Sequence, residues 1–272
     1  MSVSLRDYQK DAKDKFFNAN KRGTFLFATG TGKTEIAIGI MEQYLQEQTE
    51  GKVLFLAPRI TLVEQTTERI RNYGLVAGSY YSLEKELKHP IIVSTYQSIS
   101  NELHLIDEFD FIVFDEVHLA SDYAEKFSQI MKVADDQGLH MLCLTATLDK
   151  SNYERFGTIL TTCPVLGEID LNEAINNDYL SPVVVEDHSV NLSAESQRLY
   201  NEYSNAIRNL SDILGTSNPR EIQRMIGRVR EAGMWFKTVQ ARKLLMEYNH
   251  EKADKVYDLV KSFNNEQTIV FC

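Results

Sequence analysis

The 272-residue sequence has no apolar run approaching the length that spans a bilayer. Its first residues carry no signal-peptide pattern. Cysteine is scarce: Cys143, Cys163 and Cys272 lie far apart and form no zinc-ligand spacing. Cys143 and Cys272 fall in strand-like stretches, so buried free thiols in a reducing compartment are expected. That points to the cytoplasm, or to the nucleus for a eukaryotic source. Basic residues are in deficit, with 29 Lys and Arg against 39 Asp and Glu, for a net charge of −10. This argues against wholesale electrostatic coating of nucleic acid, although a local basic track remains open. The densest basic stretch, 219–243, holds Arg220, Arg224, Arg228, Arg230, Lys237, Arg242 and Lys243. It reads equally as a solvated helix face and as a nucleic-acid contact. Internal repeats and low-complexity segments are absent.

What is present describes an ordinary globular chain, 43% hydrophobic and 25% charged. The length allows a full domain and a second, smaller element. The first part alternates short apolar runs with helical patterns, the signature of a parallel sheet with crossover helices. Strands are predicted at 24–28, 52–57, 91–94, 109–115 and 140–145. The run Phe111-Ile112-Val113-Phe114 is continuously apolar, as a strand covered on both faces should be. Ile36, Ile40 and Tyr44 form one helical stripe, Leu62, Thr66 and Ile70 another, and 5–18 also reads as helix. After about Phe156 the pattern changes. Residues 163–171 read as a turn-rich connector, 172–177 as a short helix, and 182–185 as a strand. From Ser193 the chain reads as helical, with Ser193 as a cap and a restart at Asn218-Pro219-Arg220-Glu221. A last helix carries Ala253, Val256, Val260 and Phe263, and 267–272 is again strand-like.

Two motifs carry chemistry. The run Ala28-Thr29-Gly30-Thr31-Gly32-Lys33-Thr34 follows a strand and opens a helix, the layout of a phosphate-binding loop. Its glycines let successive N–H groups turn inward toward phosphate oxygens, and the helix N-terminus adds a positive dipole end. Lys33 supplies a charge for the outer phosphates and Thr34 a hydroxyl for Mg²⁺. One departure is Phe27, which stands where G-x-x-x-x-G-K-[ST] has its first glycine. About 80 residues on, Asp115-Glu116-Val117-His118 ends the buried strand. One carboxylate can hold Mg²⁺ and its neighbour can polarise an attacking water. Such a pair alone is weak. Beside a phosphate loop in one α/β unit it is strong, because the strands converge at one edge of the sheet.

Taken in order, these residues and their flanks resemble the first motor domain of a superfamily-two helicase. Arg6, Tyr8 and Gln9 resemble the adenine-reading segment, and 28–34 resembles motif I. Ala57-Pro58-Arg59 with Glu64-Gln65 resembles motif Ia, and Ser94-Thr95-Tyr96-Gln97 the next nucleic-acid-facing motif. The acidic tetrad is a DEVH form of motif II, Thr145-Ala146-Thr147 is motif III, and Thr268-Ile269-Val270-Phe271 is similar to the first strand of a second motor domain. The tetrad and the helical connector look closest to excision-repair DNA helicases and phage branch-migration helicases, with restriction translocases as neighbours.

The resemblance implies a RecA-like parallel sheet with flanking helices at 1–165, a connector and helical linker at 166–266, and the start of a second RecA-like domain at 267–272. It implies ATP and Mg²⁺ as cofactors and nucleic acid, more readily DNA than RNA, as partner. By position, Arg6, Tyr8 and Gln9 would hold the base, while Thr29, Gly30, Thr31, Gly32, Lys33 and Thr34 would hold the phosphates. Lys33, Asp115, Glu116 and His118 would form the hydrolytic set, with Thr34 and Asp115 on the metal. Thr145 and Thr147 would couple hydrolysis to the track, and Arg59 and Thr95 would touch its backbone. Surface or packing roles remain open for Gln9, His118, Arg59 and Thr95.

The segment Gln223-Arg224-Met225-Ile226-Gly227-Arg228-Val229-Arg230 invites comparison with motif VI, the arginine-finger segment. Its glycine follows the glutamine by four positions instead of three, and it precedes the motif IV-like strand, so it is read as helical linker. Arginines of a second motor domain complete the family's ATP site. The expectation is therefore a chain that binds ATP, hydrolyses it weakly alone, and belongs to a longer protein. A binding module without turnover, acting as a nucleotide-dependent clamp or one subunit of a split motor, is the second reading. A small-molecule kinase is a third, but it leaves Thr145-Ala146-Thr147 and the helical tail unexplained.

Overall fold

The computed structural model describes residues 3–121, 124–148 and 153–263. The chain divides into two compact units, Met1–Val183 and Val184–Cys272.

The first unit is built on seven parallel strands: β1 (Arg22–Phe27), β2 (Val53–Ala57), β3 (Ala77–Tyr80), β4 (Ile91–Thr95), β5 (Phe111–Phe114), β6 (His140–Thr145) and β7 (Val165–Ile169). Their order across the sheet is β3-β4-β2-β5-β6-β1-β7. Helices α1 (Asp7–Asn18), α2 (Lys33–Glu47), α3 (Ile60–Asn72), α4 (Tyr96–Asn101), α5 (Ala124–Asp136), α6 (Tyr153–Thr162) and α7 (Leu171–Asn176) connect and flank them. The central strands bury both faces, as their unbroken apolar runs require. Phe55, Phe111, Val113, Leu142 and Leu144 join one core cluster with Ile36, Ile40 and Tyr44 of α2 and Ile70 of α3. The alternate residues Leu54, Leu56, Ile112, Phe114, Met141 and Cys143 join a second cluster with Phe127, Ile130 and Ile159. Alternation along each strand therefore assigns successive side chains to opposite helical layers. Cys143 is a buried free thiol, as expected, and so is Cys163.

The five predicted strands are present, with small shifts at their ends. Two further strands went unread. Residues 163–171, read as a connector, contain β7, which pairs with β1. The pairing rests on close approach: a Cβ at Gly23 would lie 2.2 Å from Leu166 Cδ1, and one at Gly167 would lie 3.2 Å from the rings of Phe25 and Phe27. Glycine carries no hydropathy signal, so a strand made this way leaves little trace in the pattern. Gly78 and Ser79 likewise conceal β3. Conversely, the valines of 182–185 form no strand: Val183, Val184 and Val185 are 60–81% exposed. β-propensity without a neighbouring strand to pair with does not make a sheet.

The second unit contains α8 (Ala194–Leu214), α9 (Pro219–Met225), α10 (Arg230–Glu247) and α11 (His250–Ser262). Ser193 and Asn218 cap α8 and α9 through their side chains, as their sequence context indicates. Leu210, Ile222, Ala232 and Trp235 form its small core. The motif VI-like segment spans the end of α9, a turn at Gly227 with φ +82°, and the start of α10. Residues 267–272, including Cys272 and the motif IV-like strand, lie outside the described residues.

Candidate nucleotide site

The loop between β1 and α2 curls because Gly30 and Gly32 take φ of +87° and +78°, where a side chain is strained. Gly32 caps α2, so the first free amides of that helix face the loop. Inside the curl, the Thr31 hydroxyl donates to the Ala28 carbonyl at 2.7 Å. Lys33 is buried, and its ammonium donates to the Phe27 carbonyl at 3.1 Å. Position 27 contributes only its backbone carbonyl to this contact, and the Phe27 ring is packed in the core. Thr29 and Gly30 are exposed at the tip.

The base-side residues assemble at the start of α1. Gln9 is buried; its Oε1 accepts from the Arg6 N–H at 2.9 Å and its Nε2 donates to the Thr31 carbonyl at 3.1 Å. Both ends of the amide are thus oriented by backbone, so it does not rotate freely. The Tyr8 hydroxyl donates to the same Thr31 carbonyl. Tyr8 and Gln9 are therefore attached to the phosphate loop at Thr31, more than 20 positions away, and Arg6 joins them through Gln9.

The acids stand at the end of β5. The Asp115 amide donates to the Leu56 carbonyl at 2.9 Å, and the buried Tyr96 hydroxyl donates to the Asp115 carbonyl at 2.8 Å. Asp115 Oδ1 accepts from the Glu116 N–H at 3.0 Å. Glu116 has φ +52°, an uncommon conformation for a side-chain-bearing residue. Burial pushes the Asp115 carboxyl up to about 7, with the neighbouring Glu116 charge adding to the rise and Lys33 opposing it. A carboxyl held this way is a site that a cation would stabilise.

The third piece is a tautomer fixed by geometry. Thr145 Oγ1 donates its one proton to the Thr147 carbonyl at 2.8 Å. His118 Nδ1, 3.0 Å from the same oxygen, must then carry the hydrogen and donate. It also lies 3.2 Å from Glu116 Oε2, a buried atom without a well-aligned hydrogen bond. His118 thus bridges the acids to the end of β6.

A cavity of about 490 Å³ opens over this arrangement, with Thr34, Asp115 and Glu116 in its lining beside Gln65 and Arg69 of α3. The buried carboxyl of Asp115, the orphaned Glu116 oxygen and the Thr34 hydroxyl fit a hard divalent cation, and the glycine loop fits a triphosphate. Sequence reasoning placed Thr34, Asp115 and Glu116 in one site, and the fold brings them to one cavity. It did not single out Tyr96, whose position one residue after Thr95 was the available clue. It also missed the ion pair of Glu35 with Arg69 at 3.4 Å.

The two proposed track contacts differ. Arg59 is exposed at the start of α3. Thr95 is 6% exposed, and its hydroxyl accepts from the Ser98 N–H at 3.1 Å, which caps α4.

A parallel sheet with a glycine loop and twin acids along its carboxyl edge has the layout of a nucleotide-binding domain. The family model described as "Type III restriction enzyme, res subunit" matches residues 2–150, more than half of the sequence, and the chain belongs to that family. It is 26% identical over 285 residues to the DNA 3'-5' translocase XPB2 of Sulfurisphaera tokodaii, covering 99% of this chain and 60% of that protein. A type I restriction enzyme EcoAI endonuclease subunit of Escherichia coli is 30% identical over 196 residues, covering 67% of this chain and 24% of the subunit. Among solved structures, the Pyrococcus furiosus Hef helicase domain superposes with a TM-score of 0.63 at 23% identity, over 89% of this chain and 60% of that one. That likeness concerns the fold: a RecA-like sheet with flanking helices, followed by helices. The chain thus spans 60% or less of the length of these relatives.

Proposed function

We propose that the chain supplies the ATP-binding half of an ATP-dependent DNA helicase or translocase. The observation that carries this is the convergence of Thr34, Asp115 and Glu116 on one cavity, with Lys33 buried in the adjoining loop. In this reading the loop amides and Lys33 hold the phosphates, and Thr34 and Asp115 hold Mg²⁺. When bound, Mg²⁺ supplies charge neutralisation at the phosphates. Glu116 orients the attacking water and accepts its proton, and Gln9, whose amide hydrogens go to Thr31 and Tyr8, offers the remaining lone pair of its Oε1 to the adenine edge. His118 transmits the state of Glu116 to Thr145 and Thr147. The first compact unit acts as motor domain 1 and the helical unit as linker, and the protein works in the cytoplasm.

DNA is the favoured track because the relatives include a DNA translocase and restriction enzymes. Arg59 and the basic residues of α9 and α10 are its contacts, with Thr95 acting through the cap of α4. The tetrad Asp115-Glu116-Val117-His118 and the helical unit support a place near excision-repair and branch-migration DEVH-box helicases. Efficient turnover requires transition-state arginines from a second motor domain, in cis or in trans, whose loss costs on the order of 10³-fold or more.

Steady-state ATPase with and without duplex DNA, for this chain and for a version extended by a second motor domain, tests the proposal. Weak hydrolysis by the chain and DNA-stimulated hydrolysis by the longer protein are expected. Robust DNA-stimulated ATPase from the chain alone contradicts the half-motor reading, and ATP binding without turnover in either form favours a nucleotide-dependent clamp.

A further inference from the structure

We infer that Tyr179 is a positioning residue for the base side of the nucleotide site, acting through Tyr8 and Arg6. The inference rests on the nucleotide reading above and adds a residue that no motif contains.

The local backbone explains how Tyr179 arrives there. After α7 the chain turns at Asp178, whose φ is +57°. The amides of Tyr179 and Leu180 both donate to the carbonyl of buried Ala174, at 2.8 and 3.0 Å. These two hydrogen bonds to one carbonyl close the helix end and fix the direction in which both side chains leave it.

Three contacts follow. The ring of Tyr179 stacks on the ring of Tyr8, with centroids 4.1 Å apart and planes inclined by 28°. Its carbonyl accepts from Arg6 Nη1 at 2.8 Å. Next to it, Leu180 packs on the phosphate loop: a Cβ added at Gly30 would lie 3.0 Å from Leu180 Cδ2. One short turn therefore touches both flanks of the base segment and the phosphate loop itself. Tyr8 in turn reaches the Thr31 carbonyl through its hydroxyl, and Gln9 shares that acceptor. Tyr8 is only half-buried: Tyr179 stacks on its ring at 4.1 Å, Phe27 lies at a tilted 6.3 Å, and its hydroxyl is held at Thr31.

The restraint is carried by the ring of Tyr179, because among the described residues its hydroxyl has no hydrogen-bond partner. Loss of the ring frees Tyr8 and, through it, the segment carrying Arg6 and Gln9. The phosphate loop retains its own bonds, from Lys33 to Phe27 and from Thr31 to Ala28. The base side should therefore weaken while the phosphate side does not.

The test titrates the full chain, in Mg²⁺, with a non-hydrolysable ATP analogue and separately with inorganic tripolyphosphate. Tyr179→Ala should weaken analogue binding about 5- to 10-fold, the scale of one lost aromatic stack, and leave tripolyphosphate affinity within twofold. Tyr179→Phe, which keeps the ring, should bind both as the wild type does, and Tyr179→Leu should behave like Tyr179→Ala. Parallel loss of both ligands in Tyr179→Ala would show a general structural role and overturn the inference. Unchanged analogue binding in that variant overturns it as well, with the nucleotide reading intact. A wild-type chain that binds neither ligand overturns the nucleotide reading and this inference together.

Discussion

His118 Nδ1 lies 3.0 Å from the Thr145 hydroxyl, a hydrogen bond that joins the segment after β5 to the end of β6. Glu116 Oε2 lies 3.2 Å from the same imidazole nitrogen. A carboxylate that changes its contacts when phosphate leaves would be felt at Thr145 through this ring. Thr145→Val removes the acceptor and keeps the shape. It should leave ATP affinity unchanged and reduce nucleic-acid stimulation of hydrolysis by roughly 5- to 30-fold, the effect of losing about 1–2 kcal/mol of coupling. ATPase of the protein extended by a second motor domain, measured with and without DNA, checks this.

Glu116→Gln separates binding from turnover. The amide fills the same space beside His118 but accepts no proton. Hydrolysis in that extended protein should fall roughly 10²- to 10⁴-fold with affinity for ATP retained. Single-turnover kinetics on the variant test it, and an equal loss of affinity would instead assign Glu116 to binding.

The raised carboxyl of Asp115 makes a prediction about the metal-free protein. Its folded value of about 7 exceeds the ordinary 3.8, so between those limits the folded state holds a proton that the unfolded chain has released. Raising the pH through this window therefore removes stability. Asp115→Asn abolishes the penalty, and should raise Tm at pH 8 by at least about 3 °C, the shift of roughly 1 kcal/mol in a domain of this size. At pH 3, below the ordinary 3.8 as well, both states are largely protonated and the gain should shrink. Thermal melts in a chelator at the two pH values decide the matter, and a gain independent of pH would contradict it.

Much of this was legible in the sequence, for physical reasons. A strand covered on both faces must be continuously apolar, and 111–114 announces itself. A loop that presents amides to phosphate needs glycines before a Lys-Thr helix start, and 28–34 has them. What escaped reading was structure made by fit between distant residues. β7 depends on glycines facing bulky residues of a neighbouring strand, Gly23 toward Leu166 and Gly167 toward Phe25 and Phe27. The same holds at the site: Tyr96 beneath Asp115, and Tyr179 against Tyr8, join residues 19 and 171 positions apart. The valines of 182–185 failed in the opposite way, since local propensity had no strand to pair with.

The two units have separate cores, and this predicts independent loss. Trp235 is 6% exposed, and its Nε1–H donates to Ser211 Oγ at 2.9 Å. Trp235→Ala should cost the helical unit about 3–5 kcal/mol and change affinity for an ATP analogue by less than about twofold. Circular dichroism with a parallel ligand titration measures both, and coupled loss of the two would contradict independent cores.

The central claim is that a nucleoside triphosphate and its divalent ion occupy the space between the glycine loop and the twin acids. Isothermal titration with a non-hydrolysable ATP analogue, on wild type and on Lys33→Ala, with and without Mg²⁺, tests it most directly. The account predicts saturable one-site binding by wild type in Mg²⁺, weakened severely by the substitution and by chelation. Binding that is indifferent to both, or no binding by wild type, would contradict it.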